Sequence, residues 1–154
     1  KRSLLSGNAD GALIMEPIPT MLEAQDAPFQ RITHTGDFME GAPGGITFMH
    51  DRLWDENPGV AKDVLRAHAR ATELINEQPA EAADAVSSAF GDRLSTKLAE
   101  RAIRSPVSNY VTDPRSITTG TERLIKRMHA LGQISERVST EAIFEPSLYE
   151  DISG

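Results

Sequence analysis

The 154-residue chain is 39% apolar and 25% charged, an ordinary globular balance, and its formal net charge is −7. That acidity argues against a nucleic-acid binder, which needs a basic face to neutralise phosphates. Without cysteine there are no disulfides, thiolate metal sites or cysteine nucleophile, and no apolar run approaches the roughly 20 residues that span a bilayer.

The acidic residues are spread along the chain, a pattern that favours solubility. The sequence begins at Lys1 without a methionine or a leader. The expectation is that a leader has been removed or that the chain starts partway through a larger protein.

Taken in order, Lys1 to Ser6 reads as the last turn of a helix, stopped by Gly7 and Asn8. Gly11 to Met15 is a short apolar run, the pattern of a buried strand. Glu16-Pro17 ends it, and Pro17 suits the first turn of a helix reaching about Asp26. Phe29 to Thr33 alternates weakly, as a further strand does. Asp37 to Gly45 gathers three glycines and a proline, a turn or hinge. Ile46-Thr47-Phe48-Met49 follows as a third strand of good β formers.

From Asp51 onward helical patterns dominate. Between Pro58 and Gln78, the residues Val60, Val64, Ala67, Ala71 and Leu74 recur on one face of a 3.6-residue period. Asn57 is placed to cap that helix, with Pro58 at its first position. A second helix runs from Pro79 through Ala82, Ala83, Val86 and Phe90 to Gly91, and a third covers Leu94 to Ile103. A fourth starts near Ser116 and sets Ile117, Leu124, Met128 and Leu131 on one face before Gly132. Beyond Ile134 the chain reads as a polar tail with isolated apolar residues. Two or three short strands cannot form a stable sheet alone. The front of the chain therefore calls for strands it does not carry, and a missing N-terminal half is expected.

Glu16 is the first candidate for a site, because it directly follows an apolar run, at the strand end where open α/β sheets bind ligands. A carboxylate there accepts hydrogen bonds from an amine, amide or pyrimidine and repels a bare anion. Its other reading is an acid favouring a helix N-terminus. Gly44 and Gly45 permit close backbone approach to a ligand and Thr47 offers a hydroxyl, although a plain hinge turn accounts for the same residues. His34 and His50 flank this segment, but no third histidine or carboxylate lies at ligand spacing, so no metal site is expected. His68 reads as structural, His129 as solvent-facing, and Trp54 as a packing residue. Arg66, Arg70 and Glu73 read as a solvated helix face with ion pairs. No nucleophile–base pair is visible.

Several stretches resemble the nitrate, sulfonate, taurine and hydroxymethylpyrimidine branch of solute-binding proteins. Leu5-Ser6-Gly7-Asn8-Ala9-Asp10-Gly11-Ala12 is similar to that family's step into a lobe-two strand. Glu16-Pro17 stands where its members carry a cleft-facing Glu-Pro segment. Glu56-Asn57-Pro58 and Ile75-Asn76-Glu77-Gln78-Pro79-Ala80-Glu81-Ala82-Ala83 match its recurring long-helix phrase, and Thr119 to Ile134 resembles its late helix. The resemblance implies the C-terminal half of a two-lobed α/β clamshell of the type II periplasmic-binding class. Residues 1–42 would end lobe two, and 43–154 would form a crossover strand and a mostly helical return into lobe one. It further implies an extracytoplasmic component of an ABC importer that binds a small polar solute reversibly without turnover. The expected partners are a permease, an ATPase and the N-terminal half of the same protein, with no cofactor and no nucleic acid. One departure is that Met15 and Ile18, not an aromatic residue, flank Glu16-Pro17. Pyrimidine-forming or menaquinone-pathway enzymes and effector-binding regulatory domains share the implied fold. The absent cysteines count against the pyrimidine synthases, which carry a cysteine-rich segment.

Overall fold

The computed structural model describes residues 2–25 and 28–153, and every regular element among them is helical. The α-helices are α1 (Arg2–Leu5), α2 (Ile18–Glu23), α3 (Asp51–Glu56), α4 (Pro58–Glu77), α5 (Pro79–Phe90), α6 (Thr96–Ile103), α7 (Thr118–Ala130) and α8 (Pro146–Ser153). Short 3-10 segments lie at Thr35–Asp37, Gly91–Arg93, Pro114–Ile117 and Thr140–Ala142. No helix among the described residues is long and apolar enough to cross a membrane.

The expected α/β architecture is corrected by these elements. Gly11 to Met15, Phe29 to Thr33 and Ile46 to Met49 are irregular, not strands. A strand exists through hydrogen bonds to a neighbour, and β propensity without a neighbour does not supply one. Several of their apolar side chains are accordingly open, with Leu13 93% and Phe48 82% exposed, while Ile14, Phe29 and Met49 are half-buried. The expected end of α2 near Asp26, like Lys1, lies outside the described residues.

The chain divides into two compact units, one of Lys1–His34 with Glu73–Tyr110 and the other of Thr35–Thr72 with Val111–Gly154. Helix α4 starts in the second and ends in the first. In the first unit, α5 packs on α6 around Ala83, Leu94 and Ala99, with Met21, Val86, Leu98 and Ile103 against them. Alanines at 82, 83, 99 and 102 are the buried residues of the two helices, and small side chains let helix axes approach closely. Pro79, which lacks an N–H, opens α5 where that donor has no helical acceptor. Gly91 closes it with a positive φ of 57°. Ser95 caps α6, its Oγ accepting the Leu98 N–H at 3.5 Å. Phe90 sits on the last turn of α5 and is exposed. Helix α2 leans on α6 and buries Thr20 and Leu22.

In the second unit, α7 buries Gly120, Thr121 and Ile125. Of the expected face, Ile117, Leu124 and Met128 are only half-buried and Leu131 is exposed. The backbone itself explains the difference. Gly120 sits against Gly41 and Ala42 so closely that a Cβ there would overlap the Gly41 carbonyl and the Ala42 amide. A helix that presses its bare backbone onto a loop must turn that face inward, whatever its apolar stripe would prefer. Helix α8 replaces the expected polar tail beyond Ile134. Arg115 lies over the Tyr149 ring, 5.7 Å from its centroid, and reaches Glu150 at 3.2 Å. Lys62 pairs with Asp151 at 2.9 Å.

Helix α4 runs over the expected span with its faces exchanged. Ala61 and Thr72 are its buried residues, whereas Val60, Val64, Ala67 and Ala71 face solvent and Leu74, the fifth residue of the expected face, is half-buried. His68, expected to be structural, is exposed as well.

Candidate functional site

Glu16 lies in a turn immediately before α2, joined to Pro17 by a cis peptide bond. Its side chain is only 12% exposed, and a carboxylate in that position must be hydrogen-bonded to remain charged. Its Oε2 accepts the Thr20 backbone N–H at 3.3 Å, and its Oε1 accepts Arg31 Nη2 at 3.0 Å. Arg31 comes from the irregular segment after α2 and also donates from Nη2 and Nε to Glu23 Oε1, at 3.2 and 3.3 Å. Arg101 of α6 completes the row, its Nη2 lying 3.0 Å from Glu23 Oε2. Two acids and two bases thus alternate, Glu16–Arg31–Glu23–Arg101, and cancel in charge.

Partial burial pushes the Glu16 carboxyl upward, but hydrogen bonding from Thr20 and Arg31 and the nearby Ser105 hydroxyl outweigh it, so the group is held below its ordinary value. Burial likewise disfavours the charged Arg31, and the two carboxylates more than compensate, raising it. Glu16 is therefore an ionised acceptor and not a proton donor. The Ser105 hydroxyl is buried beside it and makes no hydrogen bond of ordinary length with a described residue. A carboxylate has about four acceptor positions, so one more donor can be met here.

Glu16 belongs to the first unit and Gly44, Gly45 and Thr47 to the second. The latter three lie in the irregular stretch before α3. A Cβ added at Gly44 or Gly45 would meet nothing within 4 Å, so packing does not require glycine at either position. The glycine of this loop that the backbone requires is Gly41, with φ 74°, while a Cβ there would make only ordinary contact with Gly120. Thr47 is exposed.

His34 and His50 fall in different units. His50 caps α3, its Nδ1 accepting the Arg52 N–H at 3.1 Å. Arg66 pairs with Asp63 at 3.0 Å. Trp54 is half-buried and His129 exposed.

Sequence reasoning missed Arg31, Glu23 and Arg101. Their partners lie 15, 8 and 78 residues away, and no local spacing carries such information.

A family profile described as NMT1-like matches residues 1–89. No curated protein and no solved structure matches the chain. The family is of the nitrate, sulfonate and taurine binding type, with a periplasmic-binding-type domain. Its members are typically extracytoplasmic and generally work with ABC transporter partners. The match spans more than half of the sequence and takes in Glu16, Glu23 and Arg31, and on that ground the chain belongs to the NMT1-like family.

Proposed function

We propose that this chain is part of the solute-binding component of an ABC importer, acting outside the cytoplasm in the periplasm or anchored at a membrane surface. The family match over residues 1–89 carries this reading. In it, Glu16 accepts a hydrogen bond from an amine, amide or pyrimidine group of a small polar solute, with the buried Ser105 hydroxyl beside it. The ionised state of Glu16 suits that task, because a charged acceptor forms the stronger hydrogen bond. Gly44, Gly45 and Thr47 are the other ligand-facing candidates. Residues 1–42 serve one lobe and 43–154 the other. An N-terminal half of the same protein, the permease and the ATPase are the partners. The exposed Leu13, Met15, Ile32 and Phe48 are apolar surface for that N-terminal half to cover.

The test is calorimetric titration of small amines, amides, pyrimidines and sulfonates into two proteins. One is the 154-residue chain, and the other a longer chain that includes the N-terminal half. One-to-one binding without turnover by the longer protein, and none by the shorter, is the expected result. Tight stoichiometric binding by the 154-residue chain, or a longer protein that binds none of these solutes, would overturn it.

A further inference from the structure

The exchanged faces of α4 leave an unusual surface. Val60, Val64, Ala67 and Ala71 repeat at spacings of four, three and four. That is the seam spacing of a helix meant to lie along another helix. All four are open to solvent, Val60 by 52% and Val64 by 43%. The residues that α4 buries within its own unit, Ala61 and Thr72, lie to one side of this seam. Asp63 and Arg70 flank the other side, seven residues apart.

We infer that α4 is a self-association surface, pairing antiparallel with α4 of a second copy of the chain. The occupant follows from the sequence of the seam read against itself in reverse. With the two-fold axis between residues 65 and 66, Val60 meets Ala71 of the second copy and Val64 meets its Ala67. Both of these layers then join one branched side chain to one small one, the alternation that lets facing rows interdigitate. In the same register Asp63 faces Arg70 of the second copy on the rim, twice by symmetry, because an isologous contact repeats each pair. Sliding one helix by a heptad instead places Arg70 against Arg70 and Asp63 against Glu77, so like charges reject that alternative. The charges are available for this purpose. Asp63 meets Arg66 through Oδ1 at 3.0 Å on a largely exposed side chain, and Arg70 forms no ion pair with a described residue. Small seam residues also permit the close axial approach that compensates for their modest area.

Sedimentation equilibrium of the 154-residue chain over loadings up to about 1 mM tests the assignment. Four proteins are compared: the unaltered chain, Asp63→Arg, Arg70→Asp, and the double reversal Asp63→Arg/Arg70→Asp. Because both sites are exposed, far-ultraviolet circular dichroism should show the same helicity for all four. The unaltered chain should form a reversible dimer. Each single reversal should raise its dissociation constant by about tenfold or more, since two pairs become two like-charge contacts. The double reversal should restore it to within a few-fold. A monomer at every loading overturns the inference, since the seam then awaits some other occupant. A dimer indifferent to the single reversals, or one the double reversal does not rescue, overturns it equally.

Discussion

Replacing Gly120 by alanine sets two effects of opposite sign against each other. In a helix interior, Gly→Ala ordinarily stabilises by about 1 kcal/mol, because glycine has more freedom to lose on folding. At Gly120 the added methyl would overlap the Gly41 carbonyl and the Ala42 amide. These are backbone atoms and cannot rotate out of the way as a side chain does. Overpacking of this kind costs about 1–3 kcal/mol, and backbone on backbone belongs at the upper end. The net expectation is a loss of about 2 kcal/mol, or roughly 4–8 °C in Tm for a chain of this size. Trp54, the only tryptophan, lies in the same compact unit as Gly41 and Gly120. Its fluorescence during urea unfolding therefore reports the relevant transition. Gly59→Ala in α4 is the control, since a Cβ there meets nothing within 4 Å, and it should be neutral or stabilising by a few tenths of a kcal/mol. If Gly120→Ala unfolds at or above the urea midpoint of the unaltered chain, the close approach of α7 to the Gly41 loop is refuted.

Glu16→Gln removes the charge from a mostly buried, charge-assisted pair and should destabilise the first unit by about 1–3 kcal/mol at neutral pH, read by urea unfolding followed by circular dichroism. A loss below about 0.5 kcal/mol would mean the pair behaves as an ordinary surface contact. The same residue sets a pH dependence. Its folded carboxyl titrates below the ordinary value of 4.5, so below 4.5 the unfolded chain takes up the proton first. Its contribution is therefore complete above that value and is lost as pH falls through the lower, folded one. Stability of the unaltered chain should decline over that acidic window more steeply than that of Glu16→Gln, and parallel curves would contradict the assignment. Ser95→Ala should cost about 0.5–1 kcal/mol by removing the cap of α6, with unchanged stability showing that the 3.5 Å contact contributes nothing.

The helices of the middle of the chain were legible because their signals are local. Pro79 and Gly91 bracket α5, and the 3.6-residue pattern locates α4 to within a residue of its observed end. Glu16 stood out for a local reason too, as an acid ending an apolar run. What the periodicity could not supply was direction. Val60, Val64, Ala67 and Ala71 form a valid apolar stripe, yet α4 turns Ala61 and Thr72 inward. Helix α8 went unread because its eight residues bury little and are held by Arg115 and Lys62, which lie far away in sequence.

By itself, then, the sequence determined the positions of the long helices, their proline and glycine boundaries, and an acid poised before α2. These depend on backbone conformational preferences that each residue carries with it. Only the tertiary structure decided that the apolar runs at Gly11 to Met15, Phe29 to Thr33 and Ile46 to Met49 are not strands, since a strand is a property of a pair and no strand ladder forms among the described residues. It likewise decided that Glu16 is held by Arg31 and that α7 meets the Gly41 loop through Gly120, contacts between residues 15 and 79 positions apart that no local pattern encodes.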